Sequence, residues 1–554
     1  MVSSIEPPIE APAPDAPILK RRRCPTYIYR HLRRFIISIV LIITVYWSLS
    51  AVYDYLNPNT RKSDEENEDA KWIATSKWWL DRQSCRWLGL CGVAHYRPDP
   101  AAISWKDKRD QIPLGDEYTK HIDWQDIIGG NRPRPGDWEG DSRVLKDIPQ
   151  FVLDHAPLIH LYSKEEFWPS DIAEHLMHTA PYTNHSSLHM SNTQHNVFNL
   201  HKLNEIAKGK YLYMHSKEDV EKRPEWLSSA YNKPVPYDDG WEEVDTYTEF
   251  TADSAEAFKS ESWYDPGAPK QAEPLDAGYR AQDTPEGRPS RSELKVRRRS
   301  PALPAPGGYS PAPAILVLVN KGNGVLDAFW FYFYSYNLGT TVFNIRFGNH
   351  IGDWEHSLIR FQNGVPKAVF FSAHSGGLAY SYNAVEKGKG KGREGRPVLY
   401  SALGSHAMYA TPGKHPYVLP FGLLADVTDK GPLWDPAQNY LAYHFKTNVT
   451  KDQDAKYIKS TQLTDLDMED RLQPASSNPD APMGWWWYKG HWGDKFYILG
   501  DLRQWRFAGQ YHYVNGPLGP RYKNLGRSKV CQSRGSCTIL ESIEEGKGKS
   551  WVGR

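Results

Sequence analysis

Short apolar runs broken by Pro, Gly and Asn dominate the chain from about residue 148 onward. The runs PAILVLVN, GVLDAFWFYFYSYN, SLIRFQ, KAVFFSAH and RPVLYSAL are rich in β-branched and aromatic residues, which predicts strands. Long helical periodicity is scarce. We therefore predict a mostly β, sandwich-like domain with helical additions, whose first part covers residues 148–252 and whose main part covers residues 313–554.

Two stretches interrupt this pattern. Residues 253–312 are rich in Pro, Ser, Glu and Gly, a composition that predicts a disordered insertion. The stretch KGKGKGREGR at residues 387–396 alternates basic residues with glycine. It is typical of a mobile hairpin tip, and the alternative is a contact with anionic head groups.

The stretch Phe35–Tyr53 has 19 residues and no charge. As a helix at about 1.5 Å per residue it would span about 28 Å, enough to cross a bilayer core. Lys and Arg are concentrated before it and Asp and Glu after it, which places the N-terminus in the cytosol. We predict a cytosolic tail at 1–34, a transmembrane signal anchor at 35–55, a stalk with an amphipathic helix at 56–147, and a luminal β domain in the secretory or vacuolar system.

Charge and cysteine usage agree with that location. The 67 basic and 66 acidic residues nearly cancel, which does not favour a nucleic-acid partner. Sequons at Asn184 and Asn448 are compatible with luminal glycosylation. In an oxidising compartment, local disulfides are the simplest state of the closely spaced cysteines, and free thiols are the alternative. The close pairs are Cys85 with Cys91 and Cys531 with Cys537.

Ionisable residues crowd the ends of the predicted hairpin at Gly348–Gly377. In a strand, Asp353 and Glu355 point to the same face, roughly 7 Å apart. Two buried carboxylates repel each other and favour a nearby cation. His350 lies on the preceding turn and can fold back beside them. Carboxylate oxygens with one imidazole and no thiolate favour Mg²⁺, Mn²⁺ or Ca²⁺.

Other strand ends add polar residues to the same rim. We predict metal ligands at His350, Asp353 and Glu355, a further rim residue at Asn337, and ligand-binding residues at His356, His374, Ser375 and His406. The alternative is that these residues cap strands, with buried histidines satisfied by backbone carbonyls. The stretch GWWWYKGHWGDK is either a packed aromatic core or a platform for a sugar or membrane.

The segments APLIHLYSKEEFWPSDI, GNHIGDWEH, FFSAHSGG, YSALGSHAMY, GHWGDK and NGPLGP follow one another in this order. They closely resemble the fungal vacuolar protein sorting-associated protein family sixty-two. The resemblance covers about residues 148–535. It implies a part in protein delivery to the vacuole, and it implies no particular reaction.

The segment GNHIGDWEHSLIRF also resembles, more distantly, the necrosis- and ethylene-inducing-like proteins. These are secreted β-sandwich cytolysins that bind sphingolipid head groups with the help of a divalent cation. The resemblance places their ligand His on His350, their ligand carboxylates on Asp353 and Glu355, and a further Asp near Asn337. Because Asn337 is uncharged, the site would hold an ion less strongly than the site of those proteins does.

Together these observations predict a membrane-anchored sorting protein that binds a lipid or glycan head group through a divalent cation, with an unidentified protein partner. One alternative is a metal-assisted hydrolase in which His374 and His406 are the catalytic residues. A structural adaptor, in which the polar residues only stabilise the sandwich, is the other.

Overall fold

The structure is a computed structural model. It describes residues 33–34, 37–38, 41, 44–45, 48, 63–96, 145–183, 186–188, 195–205, 212–237, 306–342, 345–417, 424–447, 471–507, 509–533, 535–547 and 549. The chain divides into two compact units, Met1–Ala70 and Lys71–Arg554. Among these described residues, no helix combines the length and the apolar composition that a membrane span requires.

Several predicted features lie outside the described residues. The anchor predicted at 35–55 is described at only six scattered positions, all helical. Asn184, Asn448, residues 97–144 of the stalk and residues 253–305 of the insertion are not described at all. The last residues assigned to the insertion are described, and Ser310 and Ala312 are buried there.

The secondary structure of the described residues is mainly strand. The α-helices are α1 (Asp64–Thr75), α2 (Trp79–Leu88), α3 (Gln150–Asp154), α4 (Ile172–Met177), α5 (Glu225–Ser228) and α6 (Ile543–Gly546). Short 3-10 helices cover Val93–His95, Leu200–Glu205, Val220–Lys222, Ala230–Asn232, Tyr382–Ala384, Pro436–Gln438 and Pro520–Tyr522.

The strands follow in chain order. The first eleven are β1 (Leu90–Cys91), β2 (Leu158–His160), β3 (Thr179–Thr183), β4 (Ser186–Ser187), β5 (Leu212–Ser216), β6 (Ala314–Gly322), β7 (Val325–Asn337), β8 (Thr341–Val342), β9 (Ile345–Arg346), β10 (His350–Gln362) and β11 (Val365–Ala373). The others are β12 (Gly376–Ser381), β13 (Val398–Ser401), β14 (Met408–Tyr409), β15 (Gly413–Pro416), β16 (Ala425–Thr428), β17 (Leu433–Trp434), β18 (Tyr440–Phe445), β19 (Leu472–Pro474), β20 (Arg506–Phe507), β21 (Gln510–Tyr511) and β22 (Ile539–Leu540).

An eight-stranded sheet forms the centre of the second unit, in the order β19-β18-β6-β7-β10-β11-β12-β22. From β6 to β12 it is an antiparallel meander, whereas β18 pairs with β6, and β12 with β22, in parallel. The two longest strands, β7 and β10, pair from His350 opposite Asn337 to Gln362 opposite Val325. Each strand predicted from the apolar runs is present.

Two Asn-Gly turns explain the tight hairpins of this sheet. Asn363 and Gly364, between β10 and β11, have φ of 50° and 81°. Asn323 and Gly324, between β6 and β7, have φ of 52° and 75°. Consecutive left-handed residues are typical of the two-residue turns whose twist matches antiparallel strands, and Asn-Gly is the preferred sequence. The hairpin predicted within Gly348–Gly377 is therefore confirmed, with its turn at Asn363 and Gly364.

Both faces of the central sheet are buried. One face, with Phe331 and Trp354, packs against Trp485, Trp486 and Trp487 in what we call the first core. The other face, with Trp330 and Tyr332, packs in a second core against residues of the sheet β14-β13-β2-β17. Successive residues of a strand face opposite sides, so β7 supplies aromatic rings to both cores. The prediction of a mostly β fold is confirmed.

The tryptophan-rich stretch is core, not a surface platform. Trp485, Trp486 and Trp487 are each 1% exposed and Trp492 is fully buried. Burying a large apolar side chain contributes about 1.5–3 kcal/mol, so this stretch is a main source of stability for the first core.

The cysteines predicted to pair locally are bonded as Cys85–Cys91 and Cys531–Cys537. The first bond links the end of α2 to β1. Beside it, the buried carboxylate of Asp81 accepts hydrogen bonds from Trp72 Nε1 at 3.2 Å and from the backbone N–H of Gly92 at 2.9 Å. These contacts hold α2 in one orientation.

Candidate ligand-binding site at the end of the central sheet

Eight polar side chains meet where β10 begins and β11 ends, beside β16 and the loop 402–407. We call this set the polar cluster. Its members are Asp353, Glu355, Ser372, His374, Ser405, His406, Tyr409 and Asp426. Seven of them are buried, and the side chain of His374 is 28% exposed. The predicted crowding of imidazoles and carboxylates at this end of the hairpin is thus observed.

Asp426 is the centre of one half of the cluster. Its carboxylate accepts hydrogen bonds from His374 Nε2 at 2.8 Å, Ser405 Oγ at 2.8 Å and Tyr409 Oη at 2.7 Å. Burial opposes ionisation, but His374 and these hydrogen bonds outweigh it and lower the pKa of Asp426. Burial likewise disfavours the charged form of His374, yet the neighbouring carboxylates, Asp426 first, raise its pKa. Both shifts favour the ion pair between His374 and Asp426.

His406 and Asp353 form the second pair. His406 Nδ1 lies 3.0 Å from Asp353 Oδ2, and Nε2 lies 3.1 Å from the Phe167 carbonyl. Its ring stacks on Tyr334 with centroids 3.7 Å apart. Burial lowers the pKa of His406, but the hydrogen bond to Asp353 and the charge of Glu165 outweigh burial and raise this pKa.

Glu355 is the cluster's most unusual carboxylate. It accepts a hydrogen bond from Ser372 Oγ, which itself accepts one from the His356 backbone N–H at 2.8 Å. Burial raises the pKa of Glu355 to about 7. The positive charge of Lys523 opposes this shift, and the negative charge of Asp353 adds to it. This side chain therefore changes charge near neutral pH.

Backbone geometry fixes the two histidine-bearing turns. His374 and His406 have φ of 54° and 53°, a left-handed conformation that L-residues other than Gly rarely adopt. The loop of His406 is held by Gly404, whose N–H donates to Glu165 at 2.9 Å and whose carbonyl accepts from Leu338 N–H at 2.8 Å. Such conformations persist only where the surroundings enforce them, and they often occur at functional sites.

The other predicted site residues take different positions. His350 Nδ1 lies 2.7 Å from the Gly352 carbonyl, and burial lowers the pKa of His350. Asn337 Nδ2 donates to the Gly348 carbonyl at 2.9 Å. Ser375 is exposed in the turn after His374. His350, Asp353 and Glu355 thus have three separate partners, and among the residues that the structure describes no group of three or more His, Cys, Asp or Glu is arranged to hold a metal ion.

His356 lies in the first core, away from the polar cluster. It is fully buried and its ring stacks on Phe331 at 5.3 Å and lies 5.6 Å from that of Phe370. Neither ring nitrogen has a hydrogen-bond partner among the described residues. Burial, reinforced by Arg527 and Lys523, lowers its pKa well below the usual value. This ring is therefore a neutral part of the core.

Sequence reasoning missed Asp426, Tyr409 and Glu165. Asp426 lies 52 positions after His374, and Glu165 lies 239 positions before Gly404. The stretch around Asp426, LADVTDK, carries no motif. Only the packing of β16 and the segment after β2 against this sheet end brings these carboxylates to the cluster. The Ser, His and Gly residues of YSALGSHAMY were the sequence signal for the loop that these two carboxylates contact.

In a comparison with known proteins, the polar cluster falls inside a region that matches a protein family. The family profile described as vacuolar protein sorting-associated protein 62 matches residues 327–441, a range that includes all eight cluster residues. Two relatives from Saccharomyces cerevisiae (strain ATCC 204508 / S288c) are similar over most of their length. Vacuolar protein sorting-associated protein 62 is 31% identical over 451 residues, covering 76% of this chain and 75% of the relative. Putative vacuolar protein sorting-associated protein TDA6 is 31% identical over 447 residues, covering 74% and 76%. No solved structure matches the chain.

Proposed function

The chain belongs to the vacuolar protein sorting-associated protein 62 family, and we propose that it acts in protein targeting to the vacuole by binding a polar head group, of a lipid or a glycan, at the polar cluster. A divalent cation takes part in this binding. The names of the two yeast relatives support the sorting role, and the side chains of the cluster support the binding role.

One observation carries the proposal: His374 is partly exposed, while the acids that surround it are buried. Its side chain is 28% exposed, whereas that of Asp426 is 1% exposed, and Glu355 as a residue is 3% exposed. A ligand that reaches the cluster from solvent therefore meets a fixed imidazolium first. An imidazolium donates hydrogen bonds and attracts anionic or hydroxyl-rich groups.

The carboxylates that lie behind His374 support the binding of a cation. Asp353 and Glu355 alternate with Trp354, which packs in the first core, so both acids lie on the opposite side of β10. Burial first, and then the charge of Asp353, raise the pKa of Glu355, so its ionised form would gain from a further positive charge close by. A hard divalent cation prefers such carboxylate oxygens, and it would displace the proton from Glu355.

The experiment is a calorimetric titration of the full chain in detergent with Mg²⁺, Ca²⁺ and Mn²⁺. Because the cation competes with a proton whose pKa is about 7, we expect binding to tighten as the pH rises through about 7. Glu355→Gln should abolish it, and Glu225→Gln, which alters an exposed carboxylate, should leave it intact. Equal cation binding by wild type and Glu355→Gln would contradict the cation's role.

A metal-assisted hydrolase is the second candidate, because Asp426 orients the imidazole of His374 at 2.8 Å. Because this carboxylate also favours the protonated form of His374, the imidazolium would act as a general acid toward a leaving group. His406 does not fit a catalytic role, since both its ring nitrogens contact acceptors inside the protein. Hydrolysis of chromogenic esters, phosphates or glycosides that His374→Ala abolishes and Glu225→Gln preserves would favour the enzyme. The absence of turnover in all of these assays would exclude the hydrolase function.

A further inference from the structure

Helix α2 and the residue before it expose a set of large apolar side chains. Their exposed fractions are 62% for Trp78, 61% for Trp79, 73% for Leu80, 52% for Trp87 and 56% for Leu88. Soluble surfaces seldom display several Trp and Leu side chains together, and such patches mark interaction sites. Neither the sorting role nor the polar cluster explains this patch.

The helix is fixed with these side chains outward. Its opposite side carries Asp81 and Cys85, which are 3% and 5% exposed. Asp81 accepts from three donors, including Ala94 N–H at 3.2 Å, and Cys85 is bonded to Cys91. The helix ends in the left-handed Gly89, with φ of 64°. Rolling α2 to bury its tryptophans would break these contacts.

The charges on α2 and on the residues just before it are also asymmetric. Lys77 and Arg86 are exposed and Arg82 is half-buried, whereas Asp81, the single acid of α2, is buried. The acids of α1 all precede Ala70 in the sequence, at least nine positions before Trp78. The outward side of α2 therefore presents Trp and Leu together with basic groups and no acid.

We propose that α2 lies on the surface of an anionic lipid bilayer, with its Trp and Leu side chains among the head groups and its Lys and Arg side chains beside lipid phosphates. Trp prefers the membrane interface, and a basic amphipathic helix binds anionic bilayers in the interface plane. The uncharged stretch that ends at Tyr53 precedes Trp78 by 25 positions, so a membrane contact by that stretch would keep α2 near the same bilayer. This contact is independent of the polar cluster.

The test places an environment-sensitive NBD label on α2 in the full chain. Cys24, the one cysteine outside the two disulfides, is removed by Cys24→Ser. The label is then attached through Leu80→Cys. The matched control is Val365→Cys, at an apolar side chain that is 55% exposed in the β10–β11 hairpin. Each labelled protein is reconstituted into phosphatidylcholine vesicles with and without phosphatidylserine, which contain spin-labelled lipid as a quencher.

We expect the label at position 80 to be quenched several-fold more strongly than the label at 365, and more in vesicles with phosphatidylserine. Lys77→Glu with Arg86→Glu should remove the phosphatidylserine dependence and leave the folded core intact, because both residues are exposed. Equal quenching at the two positions overturns the proposal. So does an unquenched label at 80 together with an oxidative disulfide dimer formed through position 80 of the unlabelled Leu80→Cys protein, since the patch is then a protein interface.

Discussion

His406 contacts an acceptor at each ring nitrogen, the Asp353 carboxylate and the Phe167 carbonyl. A neutral imidazole has one donor and one acceptor nitrogen, so it could satisfy only one of these partners. The ring is therefore an imidazolium that is buried together with a carboxylate. A buried pair of this kind is costly to break by removing one partner, because the remaining charge is left without compensation.

We predict that Asp353→Asn lowers the free energy of unfolding by about 3 kcal/mol or more, because it leaves the imidazolium buried without its partner. Adding His406→Gln should recover part of this loss, with a coupling free energy of about 1–3 kcal/mol. Chemical denaturation of the two single variants and the double variant measures both quantities. Additive losses would show that the two side chains do not form a charge pair.

Glu355 predicts a dependence of stability on pH. Its pKa rises from the ordinary value of 4.5 to about 7 on folding, so the folded state holds the proton more tightly. Stability from this group is present below about pH 4.5 and is lost as the pH rises to about 7, by at most about 3 kcal/mol. Glu355→Gln cannot ionise and should remove this slope, whereas Glu225→Gln should keep it. Thermal midpoints measured in the absence of divalent cations across this range test the prediction, and unchanged slopes in Glu355→Gln would refute it.

The sequence indicated which side chains belong to the site better than it indicated their partners. Asp353, Glu355, His374 and His406 were expected at one sheet end, and the structure brings them together. His356 was expected with them, but strand alternation places its ring in the first core beside Phe331. Cation ligation by His350, Asp353, Glu355 and Asn337 stays a prediction.

Gly352 shows how a single position of β10 sets the geometry of the site. It has φ of 67°, and an added Cβ would lie 2.4 Å from the Trp492 carbonyl oxygen. Gly352→Ala should therefore destabilise the protein by well over the roughly 1–2 kcal/mol of left-handed strain alone and weaken ligand binding beside it. Gly322→Ala is the matched control, since it also has positive φ, 81°, but no atom within 4 Å. Equal losses of thermal stability in the two variants would contradict the close approach to Trp492.

The glycine-rich loop at 387–396 illustrates where sequence-based prediction of an element fails. Its composition predicts a mobile tip, yet Arg393 lies 4.0 Å above the Tyr237 ring and Arg396 donates to Asp435 at 2.9 Å. Both partners are distant in sequence. Strands β6, β7, β10, β11 and β13 were predictable because their own side chains determine them, whereas this loop depends on tertiary contacts.

The fold class of the molecule followed from its apolar pattern, and the family from its motifs. The layered arrangement around one eight-stranded sheet did not, because β18, β19 and β22 join it from distant parts of the chain. A mostly β fold with short loops at one sheet end suits recognition, since rigid strands hold the polar side chains and the turns present them.

Vacuolar sorting in yeast that lacks both relatives is the most direct test of the role of the polar cluster. The chain is expressed in these cells, and the secreted fraction of a vacuolar hydrolase is measured. We expect the wild-type chain and Glu225→Gln to restore retention, and Glu355→Gln with His374→Ala, present at equal levels, to leave the hydrolase secreted. Full restoration by that double variant would contradict a role of the polar cluster in sorting.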